Sequence, residues 1–142
     1  MICIKGSYLI LKLLKIALIY FIQFYCLSFL ILYVFQRNLL YFPIPYTPIN
    51  VQSENFKVNG ENLNVVKINE NKKNALIYLG GNNEVVVQNV EAFEEMFAQH
   101  AVYLINYRGF GTSSGTPTEE NLYLDVLYLY DVLKKRHSNI SV

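Results

Sequence analysis

Cysteine, histidine and charge are all scarce in this 142-residue chain: it has two cysteines, two histidines and only 16% charged residues. Cys3 and Cys26 both fall in the apolar N-terminal stretch, which leaves no disulfide framework and no metal-ligand cluster. Cys26 sits within an apolar run with no lipoprotein-like context and reads as a small apolar filler. The net charge is +1, and the part after Arg37 is slightly acidic and mixed, so there is no basic footprint for nucleic acid. Internal repeats and low-complexity tracts are also absent.

Apolar residues are abundant, at 53%, and unevenly spread. The run "KIALIYFIQFYCLSFLILYVFQR" holds no charge between Lys15 and Arg37. From Ile16 to Phe35 it offers about 20 residues, enough at ~1.5 Å of helical rise each to cross a hydrocarbon core of ~30 Å. A core helix of a globular domain keeps a polar face, and this run has none. A cleaved signal peptide has a shorter apolar region and a small-x-small site after it, which is missing here. Residues 1–37 are therefore expected to be a membrane anchor, with lipid as the partner of residues 16–35. Lys5, Lys12 and Lys15 precede the span while Arg37 alone follows closely, which predicts a cytoplasmic N-terminus and the rest of the chain across the membrane. Tyr33, Tyr41 and Phe42 read as interfacial aromatics.

Residues 38–54 contain Pro43, Pro45 and Pro48, which remove backbone donors and favour extended geometry, so they read as a stiff linker. A small domain is expected over residues 55–142. Asn59-Gly60 between "ENFKV" and "LNVVKI" is a strong hairpin signal, giving strands at Phe56–Val58 and Leu63–Ile68. "NALIYLGG" and "AVYLINY" suit strands buried on both faces. Val86, Val90, Phe93 and Phe97 recur at helical spacing, as do Leu122, Val126, Leu129 and Leu133. "NISV" begins another strand. Hairpin, strand, helix, strand, helix, strand is the order of an α/β fold with a mostly parallel sheet and an antiparallel edge.

The segment "GTSSG" matches G-x-S-x-G, the nucleophile elbow of serine hydrolases, at Ser113. An elbow serine must stand between a strand end and an immediate helix start. Here the strand ends near Tyr107, and Thr116, Pro117 and Glu119 form a capping signature for a later helix, with Thr116 at the N-cap. Ser113 thus falls in mid-loop. Asp125, Asp131 and His137 follow it in triad order but are expected on one helix, where no carboxylate can orient the imidazole. His100 and His137 fall where helices are expected to end, which suggests charge–dipole contacts. "GFGTSSG" also approaches a dinucleotide-binding glycine pattern, but Ser114 replaces the third glycine and the helix comes too late to meet a pyrophosphate. No catalytic residue, cofactor or metal is assigned.

"FQRNLLYFP" after a single span, "IYLGGNNE" after a strand and "NYRGFGTSSGTPTEENLYLDV" together resemble the single-span α/β-hydrolases, a group of serine hydrolases. The resemblance makes Tyr107, Arg108, Gly109, Gly111, Ser113, Gly115 and Pro117 a structural loop motif leading from the fourth strand into the second helix. It also implies that Gly80, Gly81 and Asn82 form the oxyanion loop, the N–H of the residue after the second glycine supplying half of the oxyanion hole. The implied activity is hydrolysis of ester, thioester or peptide bonds. Nucleophile, acid and histidine are then expected beyond Val142, in which case the domain is truncated before its elbow and inactive alone. The alternative is a non-catalytic, membrane-anchored module that exposes a sheet edge to a partner chain completing the sheet.

Overall fold

The computed structural model describes residues 2–44 and 51–142, with side chains from Leu9 onward. Pro45 and Pro48 of the expected linker, and the side chains of Cys3 and Lys5, lie outside the described residues. The chain divides into two compact units, Met1–Leu40 and Tyr41–Val142.

The first unit is one helix, α1, over Ile2–Leu40. Its 39 residues exceed the expected span at both ends. Leu9–Leu40 contains an 18-residue stretch with a mean hydropathy of 2.1 and is long and apolar enough to cross a membrane. Its large side chains are exposed all round, as Leu14, Phe24 and Tyr33 illustrate. The Ser28 hydroxyl is satisfied inside the helix, donating to the Phe24 carbonyl at 2.9 Å.

In the second unit the strands are β1 (Ser53–Val58), β2 (Glu61–Ile68), β3 (Asn74–Leu79), β4 (His100–Ile105) and β5 (Asn139–Ser141). They form one mixed sheet in the order β1-β2-β4-β3-β5. β1 and β2 are the expected hairpin, turned at Asn59 and Gly60 with φ of 50° and 85°, values that asparagine and glycine tolerate best. β2 also pairs antiparallel with β4, while β3 pairs parallel with β4 and with β5.

Between β3 and β4 the chain makes a 3-10 turn, Val86–Asn89, and a short helix α2, Val90–Met96. Between β4 and β5 lies α3, Glu119–Leu133. Alternation along the strands sends successive side chains to opposite faces, and each face has its own core. Leu63, Val65, Ala75, Ile77, Tyr103 and Ile105 pack with Leu129 and Leu133 of α3. Val66, Ile68, Val102 and Leu104 pack with Val86, Val87, Val90, Phe93 and Phe97. The two helical segments therefore cover opposite faces of the sheet.

Two expectations need correction. The N-cap of α3 is Thr118, not Thr116: its extended backbone and its hydroxyl, which accepts from the Asn121 N–H at 3.1 Å, start the helix two residues later. Pro117 thus precedes the cap instead of opening the helix. His137 is not on that helix, because α3 ends at Leu133 and a turn carries the chain onward to it.

Leu129 has no exposed surface, whereas Leu127 on the outer side of α3 is 43% exposed. Leu129→Ala is expected to cost ~2–5 kcal/mol by leaving a cavity, and Leu127→Ala to stay within about 0.5 kcal/mol. Denaturant titration of the two variants against the parent chain checks the contrast.

Candidate functional site

In an open α/β sheet a crevice forms beyond the carboxyl ends of neighbouring strands whose connections leave to opposite faces. β3 and β4 meet that condition, since β3 leads to α2 on one face and β4 leads to α3 on the other. The two loops at this point are Gly80–Val85 after β3 and Asn106–Thr118 after β4, and they hold both sequence motifs.

The β4 loop is anchored by Arg108. Its guanidinium donates from Nε to Asp125 Oδ2 at 2.8 Å and from Nη2 to Asp125 Oδ1 at 2.7 Å, with a further bond to the Val58 carbonyl at 3.3 Å. Both side chains are almost fully buried, at 6% and 1% exposure. The hydrogen bonds that Arg108 donates to Asp125 raise its pKa above its already high ordinary value, against the opposing effect of burial.

Ser113 is buried in the same loop, and its hydroxyl is fully engaged. It accepts from the Asn64 N–H at 2.8 Å and donates to the Asn106 carbonyl at 2.6 Å. Ser114 continues the pattern: its hydroxyl accepts from the Asn62 N–H and donates to the Glu61 carboxylate, while its N–H donates to the Asn62 carbonyl at 2.9 Å. β4 stops pairing with β2 at Ile105 opposite Val65. Beyond that point the two serines take over the ladder, which leaves Ser113 no role as a nucleophile.

The other triad-like residues are equally committed. Asp125 holds Arg108. Asp131 is exposed and pairs with Lys134. The His137 ring bridges the Tyr103 hydroxyl, 2.7 Å from Nε2, and the Lys72 carbonyl, 2.8 Å from Nδ1. A carbonyl only accepts, so Nδ1 carries the proton towards Lys72. This buried tie between β4 and the chain entering β3 replaces the expected charge–dipole contact. His100 lies at the start of β4, edge-on to Phe97 with centroids 6.2 Å apart. Among the described residues no serine, carboxylate and histidine meet, and no group of three metal-ligating side chains occurs.

Gly80, Gly81 and Asn82 form the turn at the end of β3, beside the β4 loop. A Cβ on Gly80 would stand 2.5 Å from Val86 Cγ1, so only glycine fits against the start of the 3-10 turn. The Gly80 carbonyl accepts from the Tyr107 hydroxyl at 3.1 Å, tying the two loops together. The Gly81 N–H donates to the Glu84 carboxylate, which also accepts from the Tyr78 hydroxyl and the Asn89 side chain. Burial alone would raise the Glu84 pKa, but the Gly81 amide, Asn89 and Tyr78 outweigh it and lower the value below the ordinary 4.5. The Tyr107 phenol moves the other way, raised by burial first and by the charge of Glu84 second. Residues leaving the helix unit close the rim: the Phe42 N–H donates to Asn82 Oδ1 at 3.4 Å, and the Ile44 carbonyl accepts from the Gly111 N–H at 3.3 Å. Glu84 did not stand out in the sequence, and Tyr107 did so only as a member of the loop motif, without its bond to Gly80. The available signal was a carboxylate three residues beyond Gly81, a spacing at which side chains close turns onto a backbone amide.

Sheet order and loop contacts define a chain of the α/β class with a glycine turn after β3 that is tied to the β4 loop. Solved structures similar to it are an esterase from Pyrococcus furiosus (18% identity, TM-score 0.49, covering 69% of this chain and 44% of that one), Est1E from Butyrivibrio proteoclasticus with ferulic acid bound (21%, 0.47, 61% and 40%), and an epoxide hydrolase from Vigna radiata (18%, 0.47, 59% and 29%). Each of them matches only part of this chain, with a TM-score below 0.5. This chain spans less than half the length of each of the three. No protein-family model and no curated protein matches the sequence.

Asp125→Ala strands a buried guanidinium and is expected to cost ~3–5 kcal/mol, enough to unfold a small domain. The shift in denaturation midpoint of the purified chain measures it. Ser113→Ala leaves the Asn64 N–H and the Asn106 carbonyl without their shared partner and is expected to cost ~1–3 kcal/mol. Serine-directed fluorophosphonate treatment is expected to label neither the parent nor that variant.

Proposed function

We propose that this chain is the membrane-anchored, N-terminal portion of an α/β-hydrolase that cleaves ester, thioester or peptide bonds, and that it supplies the oxyanion side of the active site. The observation that carries the reading is the placement of the Gly80-Gly81-Asn82 turn at the crevice between β3 and β4, joined to the Y-R-G-x-G-x-S-x-G loop by the Tyr107 hydroxyl. Supporting it, the fold is of the right class and the apolar helix is long enough to span a membrane. In this reading residues 16–35 lie in the bilayer, the N-terminus is cytoplasmic and the domain lies on the far side. The Asn82 N–H is one of two donors to the developing oxyanion, a contribution of several kcal/mol to acyl transfer. Nucleophile, acid and base come from outside residues 1–142, because a serine hydroxyl needs an adjacent base held by a third group and the described residues bring no such trio together.

The test uses the native membrane polypeptide that carries this stretch, captured with an antibody to the hairpin. A fluorophosphonate is expected to label it on a serine outside residues 1–142. Asn82→Pro, which deletes the donor amide, is expected to slow labelling by about 100- to 1000-fold, the loss typical of one oxyanion donor. Labelling at a serine within this stretch, or labelling indifferent to Asn82→Pro, would refute the reading. Isolated residues 1–142 are expected to show neither ester hydrolysis nor labelling.

A further inference from the structure

The peptide group joining Gly80 to Gly81 is held at both ends by side chains from different elements. Its carbonyl accepts from the Tyr107 hydroxyl of the β4 loop, and its N–H donates to Glu84 at the entry to the 3-10 turn. Glu84 is held in turn by the Tyr78 hydroxyl of β3, at 3.0 and 3.2 Å to its two oxygens, and by the Asn89 amide of the 3-10 turn. The Tyr78 ring is packed edge-on against Phe93 of α2, 4.7 Å between centroids. A Gly-Gly peptide left to itself samples many orientations, and each of these contacts removes some of that freedom.

We propose that Glu84 is the positioning residue of the glycine turn: its ionised carboxylate, opposite the Tyr107 hydroxyl, fixes the plane of the Gly80–Gly81 peptide and so sets the point from which the next peptide, carrying the Asn82 N–H, departs. This rests on the reading of Gly80–Asn82 as the oxyanion loop. Glu84 touches no reacting atom and acts only through the backbone. Its negative charge is spread over three neutral donors, the Gly81 amide, Asn89 and Tyr78, and Tyr107 across the turn senses that charge.

The sign of the pH dependence follows from the lowered pKa of Glu84. A carboxyl with a depressed folded-state value contributes its full stabilisation above its unfolded value, near 4.5, and loses it as pH falls through the folded value. The clamp is therefore closed at neutral pH and opens only on acidification below the ordinary glutamate range.

Amide hydrogen exchange and ¹H–¹⁵N spectra of the full chain in detergent micelles test the proposal without any need for activity. At neutral pH, Glu84→Ala is expected to speed exchange of the Gly81 amide at least tenfold while Val102 in β4 stays unchanged. Glu84→Gln keeps an acceptor and is expected to restore Gly81 protection to within about threefold of the parent. The parent Gly81 resonance is expected to titrate with a midpoint below 4.5, and the titration to vanish in Glu84→Gln. Gly81 exchange indifferent to Glu84→Ala would overturn the proposal. So would equal acceleration at Val102, because Glu84 would then support the whole fold and not the turn. A failed serine-labelling test with Gly81 behaving as expected would remove the hydrolase reading and leave the clamp standing.

Discussion

The buried pair of Arg108 and Asp125 is the constraint on which the rest of the domain depends. Arg108 leaves the end of β4, Asp125 lies within α3, and the same guanidinium reaches the Val58 carbonyl at the end of β1. Three elements distant in sequence are thus fixed to one planar group whose donors match a carboxylate in fork geometry. Burying two charges is costly, and here both carboxylate oxygens find donors, so the desolvation is offset by directed bonds. The pair also fixes where the β4 loop begins, and with it every contact the loop makes further on.

Once the loop is held at Arg108, its serines can replace a strand. β2 needs partners along its whole length, since each unpaired buried N–H or carbonyl carries a penalty. The chain turns away from β2 after Asn106, whose N–H still donates to the Asn64 carbonyl, and Ser113 and Ser114 lie where a strand would otherwise continue. A hydroxyl both donates and accepts, so Ser113 closes the gap between the Asn64 amide and the Asn106 carbonyl in one step. The glycines around these serines let the loop turn close to β2. A G-x-S-x-G pattern can therefore arise from sheet-edge satisfaction alone, and what separates it from an elbow is the distance between the strand end and the helix start.

Features governed by local chemistry were legible in the sequence. The hairpin followed from Asn59-Gly60, and both helical segments followed from their apolar spacing, with Val86, Val90, Phe93 and Phe97 all reaching one core. The apolar run from Ile16 to Phe35 is part of one continuous helix. The contest between Thr116 and Thr118 for the N-cap turned on a backbone conformation that no pattern encodes, for both are threonines near Pro117 and the acidic first turn. The position of β4 between β2 and β3 was not readable either, since strand order depends on which faces the crossovers cover. His137 looked like a helix-end residue because its tertiary partner, the Tyr103 hydroxyl, lies 34 positions away.

The turn at Gly80 shows how these levels combine. Val86 leaves no room for a Cβ, so glycine is required there by packing, yet glycine is also the residue least able to hold a conformation by itself. Anion stabilisation by backbone amides depends on donors that are already oriented before charge develops, because reorientation during reaction would cancel the gain. In the oxyanion role proposed for the turn, the fold meets both demands by taking steric freedom from Gly80 and returning direction through side chains: Tyr107 holds the carbonyl and Glu84 the Gly81 amide. Tyr107 directly precedes Arg108, so its reach is set by the same buried ion pair that anchors the loop. The precision of the turn therefore originates outside the turn, in a salt bridge on the opposite face of the sheet from the helix that the turn itself leads into.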